Sequence, residues 1–482
     1  MTSFPKLAQF KSPAALQDRL RQLNLDLPLD KEVLTSAASP LAAPYMLGNR
    51  VIGNRWCIQP MEGWDAHPDG TPSELVFRRW QNFGRSGAKL IWGGEAAAVQ
   101  PAGRANPRQL LATPAHLSGL RRLRLELLAA HEQAGHSPDD SYVGLQLTHS
   151  GRFSRPNSTQ LEPKIACRHP ILDAKFGIDS ANDRLIWKDA ELEQLVVDYV
   201  LAAQTADAAG FDFVDIKACH GYCLHEFLGA RRRPGDYGGD LAGRCRLLLK
   251  IIDNVKAAAP RLGLGVRLSL FDLIPFEAGP GSGQPVPHAQ LLPYEWGFGV
   301  NPDNPLEYDL TEPLRLINWL MERQVSLVNL SAGSAYYNPH ILRPASYPPS
   351  DGYLPPEDPL VGVARQITAT RICKERFPQL LCVGSGYSYL QEYLPHVAQG
   401  VVRAGWADFV GLGRMVLSYP TLPQDVLGGG NLVRKQICRT FSDCTTAARL
   451  HIESGCYPLD PFYKNLPQAE RVAAARPRDA TV

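Results

Sequence analysis

Phe211-Asp-Phe-Val-Asp-Ile216 followed by Lys217-Ala-Cys-His220-Gly-Tyr222 reads as a buried strand that empties into a polar turn. Three side chains able to donate a proton or a hydrogen bond fall within this turn. A strand end holds side chains more rigidly than a free loop, so Lys217, His220 and Tyr222 could converge on one small molecule. A satisfied polar cluster at a strand terminus would look the same, and the surrounding chain has to decide between the two.

Working outward, short apolar runs alternate with longer segments of helical period. Candidate strands are 56–59, 89–92, 142–147, 211–216, 264–268, 326–330, 380–383 and 408–411. Between them, Thr71-Pro-Ser-Glu74 reads as a capping box with Pro72 at the first helical position, and Asp189 as the cap of a run carrying Leu192, Leu195, Val196 and Tyr199 on one face. Gly210 ends that helix. Eight strand-then-helix units predict an α/β fold of the (β/α)8 TIM barrel type, because parallel neighbours need crossover helices and eight such strands close without edges. An open doubly wound sheet is the alternative, disfavoured because no G-x-G-x-x-G follows the first strand.

The remaining length lies outside this core. The organisation expected is an N-terminal extension over 1–44, with a short helix capped by Ser12, a barrel over 45–430, and a C-terminal helical cap over 431–482 with a mobile tail from about Gln468. Pro/Gly-rich segments at 150–180, 271–310 and 340–360 are too long for simple turns and are expected to form long rim loops over the catalytic face.

With 482 residues, 50 Lys+Arg and 48 Asp+Glu, the formal charge is only +2 and the charges are scattered. This argues against nucleic acid or an anionic membrane as partner and favours a small-molecule substrate. The first residues lack an apolar core of signal-peptide length, no run of about 18 apolar residues occurs, and the ten cysteines do not form a disulfide framework. A cytoplasmic location is expected. A homo-oligomer is left open.

The candidate strand ends carry chemistry in sequence: Gln59-Pro60-Met61-Glu62-Gly63, Gln146-Leu-Thr-His-Ser-Gly-Arg152, Arg267, Gly384-Ser-Gly386 and Gly411-Leu-Gly413-Arg414. The last two fall where barrels commonly bind phosphate: glycines let backbone N–H groups approach, and an arginine grips an anion through paired donors.

In that order these motifs, with Arg232-x-x-x-x-Tyr237-Gly-Gly239 and Val266-Arg-Leu268, resemble the Old Yellow Enzyme (NADH:flavin oxidoreductase) barrels over residues 45–420. The resemblance implies FMN on the C-terminal face, with NADH or NADPH as reductant and an activated C=C bond as hydride acceptor. It implies Pro60, Met61 and Ala96 at the isoalloxazine edge, Gln146 on its pyrimidine ring, and Arg267 near N1 and C2=O. Gly386, Gly413 and Arg414 would hold the phosphate, His220 would bind a substrate carbonyl, and Tyr222 would donate the proton. Tyr336 and Tyr337 could wall the substrate pocket or pack the rim.

Three positions depart from the family pattern. Lys217 stands where the family usually has His; it could clamp a carboxylate or enolate-like oxygen, form a structural ion pair, or act as a Schiff-base nucleophile. Glu62 replaces a Thr or Cys, could pair with Lys217, and could tune the flavin. Cys438, Cys444 and Cys456 fall in the region where larger relatives hold a [4Fe–4S] cluster. Phe441 occupies the position of the second ligand, and because such a cluster takes four thiolates, none is expected here. Ene-reduction of a carboxylate-bearing or cyclic unsaturated substrate is the leading expectation. The reverse dehydrogenation or aromatisation, a non-redox lyase using Lys217, and a flavin binder without turnover are its rivals.

Overall fold

The computed structural model describes residues 4–476. Eight parallel strands close a ring: β1 (Trp56–Ile58), β2 (Leu90–Ile91), β3 (Tyr142–Thr148), β4 (Phe213–Ala218), β5 (Gly263–Phe271), β6 (Leu327–Ala332), β7 (Leu381–Gly384) and β8 (Phe409–Leu412). Each pairs with its chain neighbour, and β8 returns to β1 with Val410 opposite Trp56, which completes a (β/α)8 barrel. The major crossover helices include α1 (Glu74–Arg85), α2 (Leu117–Gln133), α3 (Asp189–Ala209), α4 (Leu241–Ala258), α5 (Thr311–Glu322), α6 (Pro359–Arg376) and α7 (Leu394–Arg403). All eight candidate strands are present, with shifted ends.

The shift at β4 matters most. The helix before it stops at Gly210, whose φ of 91° a side chain would resist, and the strand then runs from Phe213 through Ala218. Lys217 is therefore inside the strand, not after it. With a period of two, Phe213, Asp215 and Lys217 point into the barrel at successive heights, while Val214, Ile216 and Ala218 face the helices. The lowest layer is apolar: Cys57, Leu90, Trp92, Tyr142, Phe213, Leu327, Leu381, Val383 and Phe409 fill it. Tyr142 stacks on Phe213 at 5.0 Å, and Trp92 meets the same ring edge-on at 5.2 Å. Small residues make room for these rings, since a Cβ on Gly265 would come within 2.9 Å of Leu327 and 3.0 Å of Trp92. A hairpin of Tyr45–Leu47 and Arg50–Ile52 packs under this layer and plugs the N-terminal end.

Local chemistry corrects three expectations. Ser73, not Thr71, caps α1, because its side chain accepts from Val76 N while Thr71 is drawn to Asp69. Asp189 is the first residue of α3, and Lys188 precedes it as the cap. The tail does not leave the fold at Gln468: helix Ala469–Ala474 buries Val472, and Arg476 pairs with Asp443 at 2.6 Å. The part of the expected mobile tail beyond Arg476 lies outside the described residues.

The N-terminal helix Pro13–Gln22, capped by Ser12, buries Leu16 and Leu20. At the C-terminal mouth of the barrel, the chain after the last strand folds back across the rim. Trp64 N donates to Ser454 Oγ at 3.1 Å, Ser442 Oγ to the Tyr347 carbonyl at 2.7 Å, and Arg78 pairs with Asp460 at 2.9 Å. No described helix is long and apolar enough to cross a membrane.

Candidate active site

A cavity of about 270 Å³ opens at the C-terminal ends of the strands, between the barrel mouth and the chain that follows it. Pro60, Met61, Glu62, Gln146, Lys217, His220, Tyr222, Arg267, Tyr336, Gly386, Gly413 and Arg414 all line it. Two expected residues do not. Ala96 is fully buried behind the wall, in a short strand beside β3, and its carbonyl accepts from Gln109. Tyr337 points away from its neighbour Tyr336 and donates to Asp272 in a separate, smaller cavity, so it is not a wall of this pocket.

Asp215 organises the floor. Its carboxylate accepts from Gln146 Nε2 at 2.5 Å and from the Arg267 backbone N–H at 2.6 Å. Burial is the larger influence and raises its pKa to about 6, against the pull of these bonds and of the Arg267 charge. Arg267 lies beside β1, with Nη1 donating to the Pro60 carbonyl at 3.2 Å and Nε left without a partner among the described residues.

Above this floor, Glu62 joins Lys217, left open among three roles by the sequence, to Tyr222, the expected proton donor. Lys217 Nζ lies 2.5 Å from Glu62 Oε1 and 3.7 Å from the centroid of the Tyr222 ring. Tyr222 donates its hydroxyl proton to Glu62 Oε2 at 2.5 Å, and its oxygen is also 3.0 Å from the Tyr336 hydroxyl. Of the three roles open to Lys217, the ion pair is the one its side chain adopts. Burial, then the Glu62 charge, pushes the Tyr222 phenol well above its ordinary pKa.

His220 sits in a left-handed conformation, φ 65°, that costs a non-glycine residue about 1–3 kcal/mol. Its backbone is clamped: the N–H donates to Ser269 Oγ at 3.1 Å, and the carbonyl accepts from Ser334 Oγ at 2.8 Å. The imidazole Nε2 shares a 2.8 Å hydrogen bond with Ser331 Oγ. Burial, with the Arg267 and Lys217 charges, holds this imidazole well below its ordinary pKa, so it is neutral and donates from one nitrogen only.

At the far end, Arg343 and Arg414 line the same cavity. Arg343 donates to Thr445 and Arg414 to the Pro344 carbonyl at 2.7 Å, yet Arg343 Nη2 and Arg414 Nη1 are buried without partners among the described residues. Burial first, and then the Arg414 charge, lowers the Arg343 pKa to about 10. Two partly unsatisfied guanidiniums beside Gly386 and Gly413 form a site that a dianion would relieve. Sequence reasoning found Arg414 by its glycine motif and missed Arg343, which follows a rim segment with no motif of its own.

Residues 40–279 match the model of the NADH:flavin oxidoreductase / NADH oxidase family. Over these residues the chain is similar to this family. An NADPH dehydrogenase of Bacillus subtilis (strain 168) is 31% identical over 226 residues, which are 45% of this chain and 60% of that protein. A 12-oxophytodienoate reductase 1 of Oryza sativa subsp. japonica is 28% identical over 246 residues, 50% of this chain and 61% of that protein. The match thus spans about three fifths of these curated relatives. Among solved structures, a 2-naphthoyl-CoA reductase complexed with 2-naphthoyl-CoA superposes with a TM-score of 0.64 at 17% identity, covering 88% of this chain and 57% of that one, a likeness of fold.

A flavin-family barrel implies FMN, and the residues present fit it. The two unsatisfied guanidiniums suit its phosphate, and Arg267, whose Nε has no partner among the described residues, lines the same cavity as Pro60 and Gln146. Cys438, Cys444 and Cys456 line a small cavity together with Phe441, and among the described residues no group of three or more His, Cys, Asp or Glu is arranged to hold a metal.

Proposed function

We propose that this chain is a flavin-dependent NAD(P)H oxidoreductase that reduces an activated C=C bond in a small cyclic or carboxylate-bearing molecule. The carrying observation is that Tyr222, bonded to Glu62 and Tyr336, shares one cavity with the Arg343–Arg414 anion site. Bound FMN supplies hydride transfer between a reduced nicotinamide and the substrate.

The chain's own groups would hold it and manage the protons. Arg343, Arg414, Gly386 and Gly413 take the phosphate; Gln146, Arg267, Pro60 and Met61 take the ring. His220, neutral and fixed by its clamped backbone, offers a hydrogen bond to a substrate carbonyl that gains charge as the double bond is reduced. Tyr222 gives its proton to the neighbouring carbon. A phenolate left beside the Glu62 carboxylate would be costly, so the proton Tyr222 loses is replaced from Tyr336, 3.0 Å away, and Tyr336, which is part exposed, takes its own replacement from solvent. The two transfers then run together.

The reverse reaction has one observation in its favour. Tyr222 directs its proton to Glu62, which leaves its oxygen able to accept a proton from a substrate carbon while its own moves to the carboxylate. No comparable observation favours a lyase, because the Lys217 amine is engaged by Glu62 and by the Tyr222 ring.

The test is reconstitution with FMN followed by anaerobic titration with NADH and NADPH, then addition of 2-cyclohexen-1-one or cinnamate. The flavin band is expected to bleach with reductant and return with an alkene. A protein that retains no FMN, or whose flavin neither nicotinamide bleaches, would contradict the proposal.

A further inference from the structure

The outer wall of the cavity comes from the chain after the barrel. Helix Asp443–Arg449 ends with Arg449 on that wall. Its guanidinium carbon stands 4.7 Å from the centroid of Tyr336, whose hydroxyl reaches Tyr222. Arg449 therefore borders the same tyrosine pair that Glu62 reaches through Tyr222.

The other cations of the cavity are committed. Lys217 is paired with Glu62, and Arg79 is held between Asp65 and Glu95. Arg267 belongs to the floor, while Arg343 and Arg414 form the anion site at the far end. Arg449 has weaker ties: its Nε pairs with Asp351 at 2.6 Å, a side chain that is itself half exposed, and Nη2 donates a long 3.3 Å bond to the Ala335 carbonyl. A guanidinium carries five N–H donors in a planar fork, so those two contacts leave donors for a carboxylate.

Resting on the oxidoreductase reading above, we propose that Arg449 is the specificity-determining residue that grips a carboxylate on the substrate and sets its double bond against Tyr222. Lys217, the clamp favoured by sequence, does not have this role because Glu62 neutralises it. The substrate class is then a small unsaturated acid whose carboxylate lies at the cap end of the cavity.

The probes are benzoate and benzamide, of nearly equal shape and different charge, titrated calorimetrically into FMN-loaded protein and into apoprotein. Benzoate is expected to bind the loaded protein at least about tenfold more tightly than benzamide, as a charge-assisted pair provides. Arg449→Met should abolish that preference and Arg449→Lys should retain part of it, with FMN retention and unfolding midpoint confirming that both variants fold. Equal binding of the two probes by the unaltered protein, or a benzoate preference that survives in Arg449→Met, would overturn the proposal. So would a loss in Arg449→Met confined to NADPH relative to NADH, which would assign Arg449 to the nicotinamide cofactor's phosphate. The apoprotein arm separates the two claims: a chain that fails to hold FMN refutes the flavin reading, while an Arg449-dependent benzoate signal still stands or falls by itself.

Discussion

At the scale of single residues, Glu62 governs what Tyr222 can do. Burial first, and then its carboxylate, raise the phenol well above its ordinary pKa. Glu62→Gln removes that charge and leaves the Lys217 ammonium free beside the Tyr222 ring. The Tyr222 pKa should therefore fall, and the basic limb of the pH–rate profile for alkene reduction should move to lower pH in this variant. An unmoved limb would mean that Glu62 does not act on Tyr222. Lys217 and Tyr222 were legible in sequence as a cluster, and Glu62 as a candidate partner of Lys217, but the bond from Tyr222 to Glu62 was not, because Glu62 comes from the first strand–helix turn and meets Tyr222 only when the barrel closes. The same limit hid Arg449 and Arg343, which lie in segments without a motif and reach the site through packing of the rim.

At the scale of elements, strand periodicity carried most of the information. Phe213, Asp215 and Lys217 share the inner face of β4 because successive strand residues alternate, and the apolar-to-polar gradient along that face already separates core from site. Rim geometry was less legible. Tyr336 and Tyr337 are adjacent, yet one enters the cavity and the other turns to Asp272, a choice made by the turn after β6. The anion site is also a product of elements, since Arg343 follows the short helix Pro339–Leu342 and Arg414 follows β8. Arg343→Gln should weaken FMN binding about 10- to 100-fold through loss of a charge-assisted bond. The same change should leave the apoprotein as stable or more stable, because it removes one of two like charges held in a buried site. Equilibrium titration and thermal unfolding of the apoprotein check the two halves, and unchanged FMN affinity would place the phosphate elsewhere.

At the scale of the whole molecule, the barrel buries many uncharged imidazoles. Burial is the first cause lowering His131 to about 4 and His149 and His340 to about 3, and it takes His169 and His220 well below their ordinary value. Each is neutral when folded and takes up a proton when unfolded below about pH 6.5, so its contribution is present above that pH and is lost on acidification. Asp215 works in the opposite sense: with its pKa raised to about 6, it contributes stability below about pH 4 that is lost as the pH rises through 6. The imidazoles outnumber it, and each can cost at most about 2 kcal/mol between pH 7 and pH 5. The unfolding midpoint should therefore be lower at pH 5 than at pH 7, and a flat or inverted profile measured by calorimetry would contradict this balance. In the proposed function, the cavity that would hold the flavin also carries a proton through Tyr222. The most direct measurement is rapid mixing of prereduced, FMN-loaded protein with 2-cyclohexen-1-one, comparing the unaltered chain with Tyr222→Phe. The account predicts that flavin reoxidation slows by about 10²–10⁴ in the variant, while its reduction by NADPH keeps its rate; equal reoxidation rates in the two proteins would contradict it.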